Sequence, residues 1–138
     1  MPTPIETLGR RALLRRFCLA AALGGSWLSG CAGSGASYPV DPERARTTLR
    51  SALESWKRGD KIESLKAGSP PIVAQDFDWM AGARLDDYAV LDDGRAEDAN
   101  LRVKVQLAVR PARGAAARKT VTYVVGTDPA LTVFRAME

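Results

Sequence analysis

Histidine is absent from the 138 residues, and cysteine occurs only twice, as Cys18 and Cys31. These absences exclude a zinc site of the Cys/His type and histidine-assisted nucleophilic catalysis. No serine stands in a recognisable setting with a lysine, the remaining route to an activated nucleophile. The chain also lacks a phosphate-binding loop and a dinucleotide-binding motif. We therefore predict no metal and no cofactor.

The net charge of +4 is concentrated near the N-terminus. Residues 1–30 hold four arginines and one acidic residue, whereas the rest of the chain holds 16 basic and 15 acidic residues. Because the remainder is nearly balanced, it does not predict binding to nucleic acid. The length fits one small domain with short extensions.

The first 30 residues have the organisation of a secretory signal peptide. A basic region is followed by an apolar run from Phe17 to Leu28 and by small residues. As a helix this run measures roughly 18 Å, which is too short for a bilayer core about 30 Å thick. A buried core helix is the alternative, but the arginines and the glycines around the run disfavour it.

The end of this segment, Leu28-Ser29-Gly30-Cys31, resembles the bacterial lipobox. The resemblance implies that the sulfur of Cys31 carries a diacylglyceryl group and that a peptidase cleaves between Gly30 and Cys31. Two or three acyl chains of the palmitate type anchor a protein stably to a membrane. It therefore implies a lipoprotein of the bacterial cell envelope, anchored on the periplasmic side. Ala32 differs from the aspartate of inner-membrane retention signals, which favours the outer membrane.

The segment from Gly9 to Arg15 also resembles a twin-arginine export motif, with Arg10 and Arg11 as the arginine pair. Gly9 replaces the usual serine or threonine, and Leu13 replaces phenylalanine. The basic region of a general secretion signal is the alternative interpretation. Both interpretations predict export.

The uncharged stretch AGSGASYP, residues 32–39, predicts a flexible tether with a root-mean-square reach of roughly 17 Å. We therefore predict a signal peptide over residues 1–30, which is removed. The lipidated cysteine and the tether occupy residues 31–40, and one folded domain occupies residues 41–138.

The folded part begins with an amphipathic helix. Asp41 suits the N-cap, Pro42 suits the first helical position, and Gly59 ends the helix. One face carries the apolar residues Ala45, Leu49, Ala52, Leu53 and Trp56. Asp60 and Glu63 then predict a short second helix with a capping box.

Beyond Pro71 the apolar period changes to 2, which predicts strands at residues 84–91, 100–110, 119–126 and 131–136. In the second of these, five apolar residues alternate with a mostly polar face, as in an antiparallel strand with one wet side. The expected large core residues are Trp56, Trp79, Tyr88, Tyr123 and Phe134. The predicted fold class is α+β, an N-terminal helix packed on a curved antiparallel meander of about four strands.

This order of elements is similar to the cystatin-like and nuclear-transport-factor-like superfold, as architecture only. The phrases SLKAGSPPI and VTYVVGTDPALTVFR also resemble those of small uncharacterised bacterial lipoproteins. A protein-binding inhibitor of cystatin architecture is one implication, although the chain lacks the Gln-Val-Val-Ala-Gly-type loop of that family.

Asp76, Asp78 and Trp79 are the candidate pocket residues. By the resemblance to ketosteroid-isomerase-like members of the superfold, one carboxylate would act as a general base. The alternative is a turn in which Asp78 caps and Trp79 packs under the helix. A base also needs a partner that stabilises developing charge, and no spacing pairs Tyr88 or Tyr123 with an aspartate.

Two charged loops are predicted at opposite ends of the sheet: acidic DDGRAED and basic RPARGAAARK. They are interpreted as solvated loops, with contact of the basic loop to anionic lipid as the alternative. We expect a non-catalytic binding or structural module whose contact surface surrounds Arg102, Lys104 and Gln106. Its expected partners are the membrane and another envelope protein. A pocket domain that binds or isomerises a small molecule is the alternative function.

Overall fold

The computed structural model describes Pro39 to Glu138. These residues form helix α1 (Pro42–Arg58), a 3₁₀ helix (Ile62–Ala67) and the one-turn helix α2 (Phe77–Met80). The strands are β1 (Ile72–Gln75), β2 (Arg84–Val90), β3 (Arg95–Glu97), β4 (Asn100–Arg110), β5 (Ala117–Gly126) and β6 (Leu131–Arg135). The predicted signal peptide, with Arg10, Arg11 and Gly30, lies outside the described residues, as do Cys31 and most of the tether. No helix among residues 39–138 is long and apolar enough to cross a membrane.

Helix α1 begins and ends where the sequence predicts. The side chain of Asp41 accepts a hydrogen bond from the N–H of Arg44 at 3.1 Å, and Pro42 is the first helical residue. Gly59 takes the left-handed conformation, with φ 91°, that ends the helix. The predicted apolar face is buried, which confirms that α1 packs through it.

The six strands form one curled mixed sheet in the order β1-β6-β5-β4-β2, with β3 pairing the other part of the same edge of β4. All neighbours are antiparallel except β1 and β6, which run parallel. The α+β class is confirmed, whereas the purely antiparallel meander of about four strands is wrong. The sequence does not predict β1 and β3, because both are short and neither shows a strong alternation of apolar and polar residues.

Strands β2 and β3 run along one edge of β4 and are separated by residues 91–94. An oxygen of the Asp92 carboxylate accepts hydrogen bonds from the N–H groups of Gly94 and Lys104, at 3.0 and 3.2 Å. Part of the predicted acidic loop is therefore strand β3. The hydrogen bonds of Asp92 stabilise the segment 91–94 between β2 and β3.

The core lies between α1 and one face of the sheet. The inward residues of β4 are all buried, as the alternation predicts: Leu101, Val103, Val105, Leu107 and Val109. Trp56, Trp79 and Tyr123 are also buried, and Tyr88 is half-buried. Phe134 is 37 % exposed, which contradicts its predicted place in the core. Because Leu131 and Val133 point inward, the alternation of β6 places Phe134 on the opposite face.

The short second helix is a 3₁₀ helix, and it lacks the predicted capping box. Its N-cap position is Lys61, which makes no side-chain capping hydrogen bond. The carboxylate of Asp60 instead accepts a hydrogen bond of 2.8 Å from the hydroxyl of Ser55.

Candidate functional site

The candidate carboxylates lie where β1 ends and α2 begins. Asp76 is 3 % exposed and forms the N-cap of α2. Its Oδ1 accepts hydrogen bonds from the N–H groups of Asp78 and Trp79, at 2.9 and 3.0 Å. Its Oδ2 accepts a hydrogen bond of 2.7 Å from the hydroxyl of Tyr123. Asp76, and not Asp78, therefore caps this turn.

Asp78 binds two cations that project inward from the sheet. The Nζ of Lys119 on β5 lies 2.9 Å from Oδ2 of Asp78, and Nη1 of Arg135 on β6 donates to the same carboxylate. Nη1 of Arg135 also lies 3.7 Å from Oδ1 of Asp76. Two aspartates and two cations thus join α2 to β5 and β6 with no net charge.

This environment changes the proton affinities of its members. Burial alone would raise the pKa of Asp78, but the hydrogen bonds and charges of Lys119 and Arg135 outweigh burial and lower it. The pKa of Tyr123 is strongly raised, first by burial and then by the negative charge of Asp76. Asp78 is therefore a weak base, and the Tyr123 hydroxyl stays protonated as a donor.

Trp79 packs under α1, as one interpretation of the sequence predicts. Its indole stacks on Trp56 with ring centroids 5.2 Å apart and an interplanar angle of 6°. Each indole N–H is satisfied: that of Trp79 donates to the carbonyl of Asp60, and that of Trp56 to the carbonyl of Ala83. The pair fixes α2 against the end of α1.

The hydrogen bonds of Asp76 and Asp78 hold the turn in place and leave neither carboxylate free to act as a general base. A general base needs a free oxygen that faces a substrate cavity. Both oxygens of Asp76 accept hydrogen bonds within the protein, and Asp78 is held between two cations. Neither aspartate lines any of five surface depressions formed by residues 39–138.

The described part of the chain also offers no cluster of three histidine, cysteine, aspartate or glutamate side chains that could hold a metal ion. Comparisons with protein-family models, curated proteins and solved structures find no match.

The side of the sheet opposite α1 is a further surface of the described domain, which we call the open face. We define it by Arg95, Arg102, Lys104, Arg118, Val124 and Phe134. Phe134, Val124, Arg102 and Arg95 are paired in register, one strand after another, and form a continuous row across β6, β5, β4 and β3. Gln106 lies on the same face, so the contact surface predicted from β4 belongs to a wider surface with aromatic and apolar members.

The two charged loops lie at opposite ends of β4, which the alternation of hairpin turns predicts. The acidic segment precedes Asn100, and the basic segment follows Arg110. Lys119, however, does not contribute to the charge of the predicted basic loop, because its side chain points inward to Asp78.

Sequence analysis missed Lys119, Tyr123 and Arg135 as partners of the candidate aspartates. The sequence does indicate that these two cations face the core, because the alternation set by Val121 and Val133 gives Lys119 and Arg135 inward positions in their strands. An inward cation at the end of a strand predicts a carboxylate partner. It does not say which carboxylate, since these partners lie 41 and 57 residues from Asp78.

Proposed function

We propose that this protein is a lipid-anchored cell-envelope protein whose folded domain is a non-catalytic binding or structural module. The lipobox-like end of residues 28–31 supports the anchor, and the apolar run of only 12 residues before it supports a cleaved signal. The observation that carries the non-catalytic part is the full engagement of Asp76 and Asp78 by partners within the domain.

The alternative is a pocket domain of the nuclear-transport-factor-like type, which would need a carboxylate at the mouth of an apolar cavity. Asp76 is buried under hydrogen bonds, and Asp78 is neutralised by Lys119 and Arg135. The helix-on-sheet architecture alone favours neither function, because one fold supports many activities. The binding module is therefore the function that the geometry supports best.

Metabolic labelling with palmitate tests the anchor in bacterial cells that express the full chain. We expect label on the wild type and none on Cys31→Ala. Cys18→Ala is the matched control, and it should keep its label because Cys18 lies in the segment that is cleaved off. Equal label on the wild type and Cys31→Ala contradicts the lipid anchor.

A further inference from the structure

The open face combines cationic and apolar side chains. Its cations are Arg95, Arg102, Lys104 and Arg118, and the cross-strand pair of Arg84 and Arg110 adds two more beside it. The carboxylates on the same side of the sheet are Asp86, Asp87, Glu97 and Glu138. Among residues 39–138, no carboxylate lies within ion-pair distance of Arg84, Lys104 or Arg118.

The same face exposes large apolar side chains. Phe134 on β6 and Val73 on β1 are 37 % and 39 % exposed. Two residues outside the strands, Phe77 in α2 and Met137 after β6, are 46 % and 87 % exposed. Phe77 and Met137 line a depression of about 500 Å³ together with Thr120 and Thr122. Helix α1 on the other side of the domain exposes no large apolar side chain. On the open side of the described domain, cations therefore lie beside exposed apolar groups.

The charge distribution also limits what covers this face. A second copy packed face to face would bring Lys104 and Arg102 against their own like charges, which is unfavourable. An anionic partner would match them. A face with long basic side chains around exposed aromatic and aliphatic groups suits the interface of a bilayer, where such side chains sit at headgroup level.

The point where the chain enters the domain makes this contact geometrically feasible. The N–H of Asp41 donates to the hydroxyl of Thr127, so the chain enters at the level of the sheet, just past β5. The eight residues 31–38 would span roughly 16 Å as a flexible chain. A lipid on Cys31 would therefore hold the sheet within reach of the membrane surface.

Electrostatics selects one orientation of the tethered domain. If the domain stood on the end where the chain enters, Asp41, Asp98 and Asp128 would face the bilayer, and an anionic bilayer would repel them. If it lay on the open face, the unpaired cations and Phe134 would meet the lipid. The basic hairpin after Arg110 alone is a poorer contact, because it lies about 33 Å along β4 from the entry point.

We propose that the open face docks on the surface of a bilayer rich in anionic lipid, so that the domain lies flat on the membrane. The placement of the sheet within reach of the membrane rests on the proposed lipid at Cys31. The docking itself rests on Lys104, Arg118, Arg102 and Phe134. Docking and anchoring are therefore tested separately.

The test uses the chain from residue 31 onward with Cys31→Ala, which carries no lipid and retains every core residue, and whose folding is checked by circular dichroism. Its partitioning is measured by sedimentation with vesicles of phosphatidylglycerol and phosphatidylethanolamine, and with vesicles of phosphatidylcholine. We expect binding to the anionic vesicles only, and we expect it to weaken as salt is added.

Matched double variants separate the open face from net charge. Lys104→Gln with Arg118→Gln should weaken partitioning roughly 25-fold, at about fivefold for each charge near the surface. Arg44→Gln with Arg50→Gln on the exposed side of α1 removes the same charge and should leave partitioning almost unchanged. Phe134→Ala should weaken it in a way that low salt does not restore.

Equal binding to both kinds of vesicle, or no binding, overturns the proposal, and the latter is expected if the face binds an acidic protein. Equal losses in the two double variants overturn it as well, because net charge would then explain the binding. A failed palmitate experiment removes the anchor and leaves the vesicle result standing.

Discussion

The hydroxyl of Tyr123 donates a hydrogen bond of 2.7 Å to the buried carboxylate of Asp76, which lies 47 residues earlier in the chain. The other oxygen of that carboxylate accepts the two N–H groups that begin α2. One buried aspartate therefore joins the middle of β5 to the turn that follows β1. No described side-chain polar atom that is fully buried lacks a partner, so this network is complete.

Removing the Tyr123 hydroxyl should destabilise the domain more than removing that of Tyr88. Tyr123→Phe leaves one oxygen of the buried Asp76 without its main donor, which costs roughly 1–3 kcal/mol. Tyr88→Phe is the matched control, since its hydroxyl donates to the exposed Glu54, which water can solvate. Urea unfolding followed by tryptophan fluorescence measures both, and equal losses would argue against a special role for the buried bond.

Asp78 should contribute to acid sensitivity. Its pKa is lowered in the folded state, so its contribution to stability is complete above the ordinary aspartate pKa of about 3.9 and is lost as the pH falls below it. Asp78→Asn should lower stability at neutral pH and flatten the dependence of the unfolding free energy on pH below about 4.

Asp98→Asn is the control for this measurement, because Asp98 forms no ion pair among residues 39–138. The unfolding free energy of this variant at neutral pH should stay within about 0.5 kcal/mol of the wild-type value. If Asp78→Asn keeps the slope of the wild type, the ion pairs with Lys119 and Arg135 do not stabilise the fold in solution.

Two glycines with positive φ should respond differently to alanine. Gly94, with φ 85°, would place a Cβ 2.8 Å from Cγ of Leu101 and 2.9 Å from Cγ2 of Val103. Gly59, with φ 91°, has nothing within 4 Å of such a Cβ. We expect Gly59→Ala to cost about 1 kcal/mol from backbone strain alone, and Gly94→Ala roughly 2–4 kcal/mol from strain plus overpacking. Similar melting temperatures for the two variants would contradict the close packing at Gly94.

Local patterns account for the elements that sequence analysis placed correctly. The limits of α1 follow from Asp41, Pro42 and Gly59, because capping and left-handed termination depend on neighbouring residues only. The faces of β4 follow from its strict alternation over eleven residues. In both elements the evidence for the structure lies inside the element itself.

The elements and partners that were missed depend on distant residues. Strand β1 has four residues, and it exists as a strand because it pairs with β6, where Ile72 lies opposite Leu131. Strand β3 has three exposed residues, so it carries no buried alternation. The partners of Asp76 and Asp78 likewise come from β5 and β6, which no local spacing identifies.

Composition and local periodicity encode the α+β class, the bounds of α1, the inward face of β4 and the exclusion of histidine chemistry. Folding, in contrast, makes Asp76 and Asp78 stabilise a turn and places Phe134 with Arg102 on the open face. Those outcomes depend on strand register and on contacts between distant segments. Buried charges take whichever partners the folded chain brings within hydrogen-bond distance.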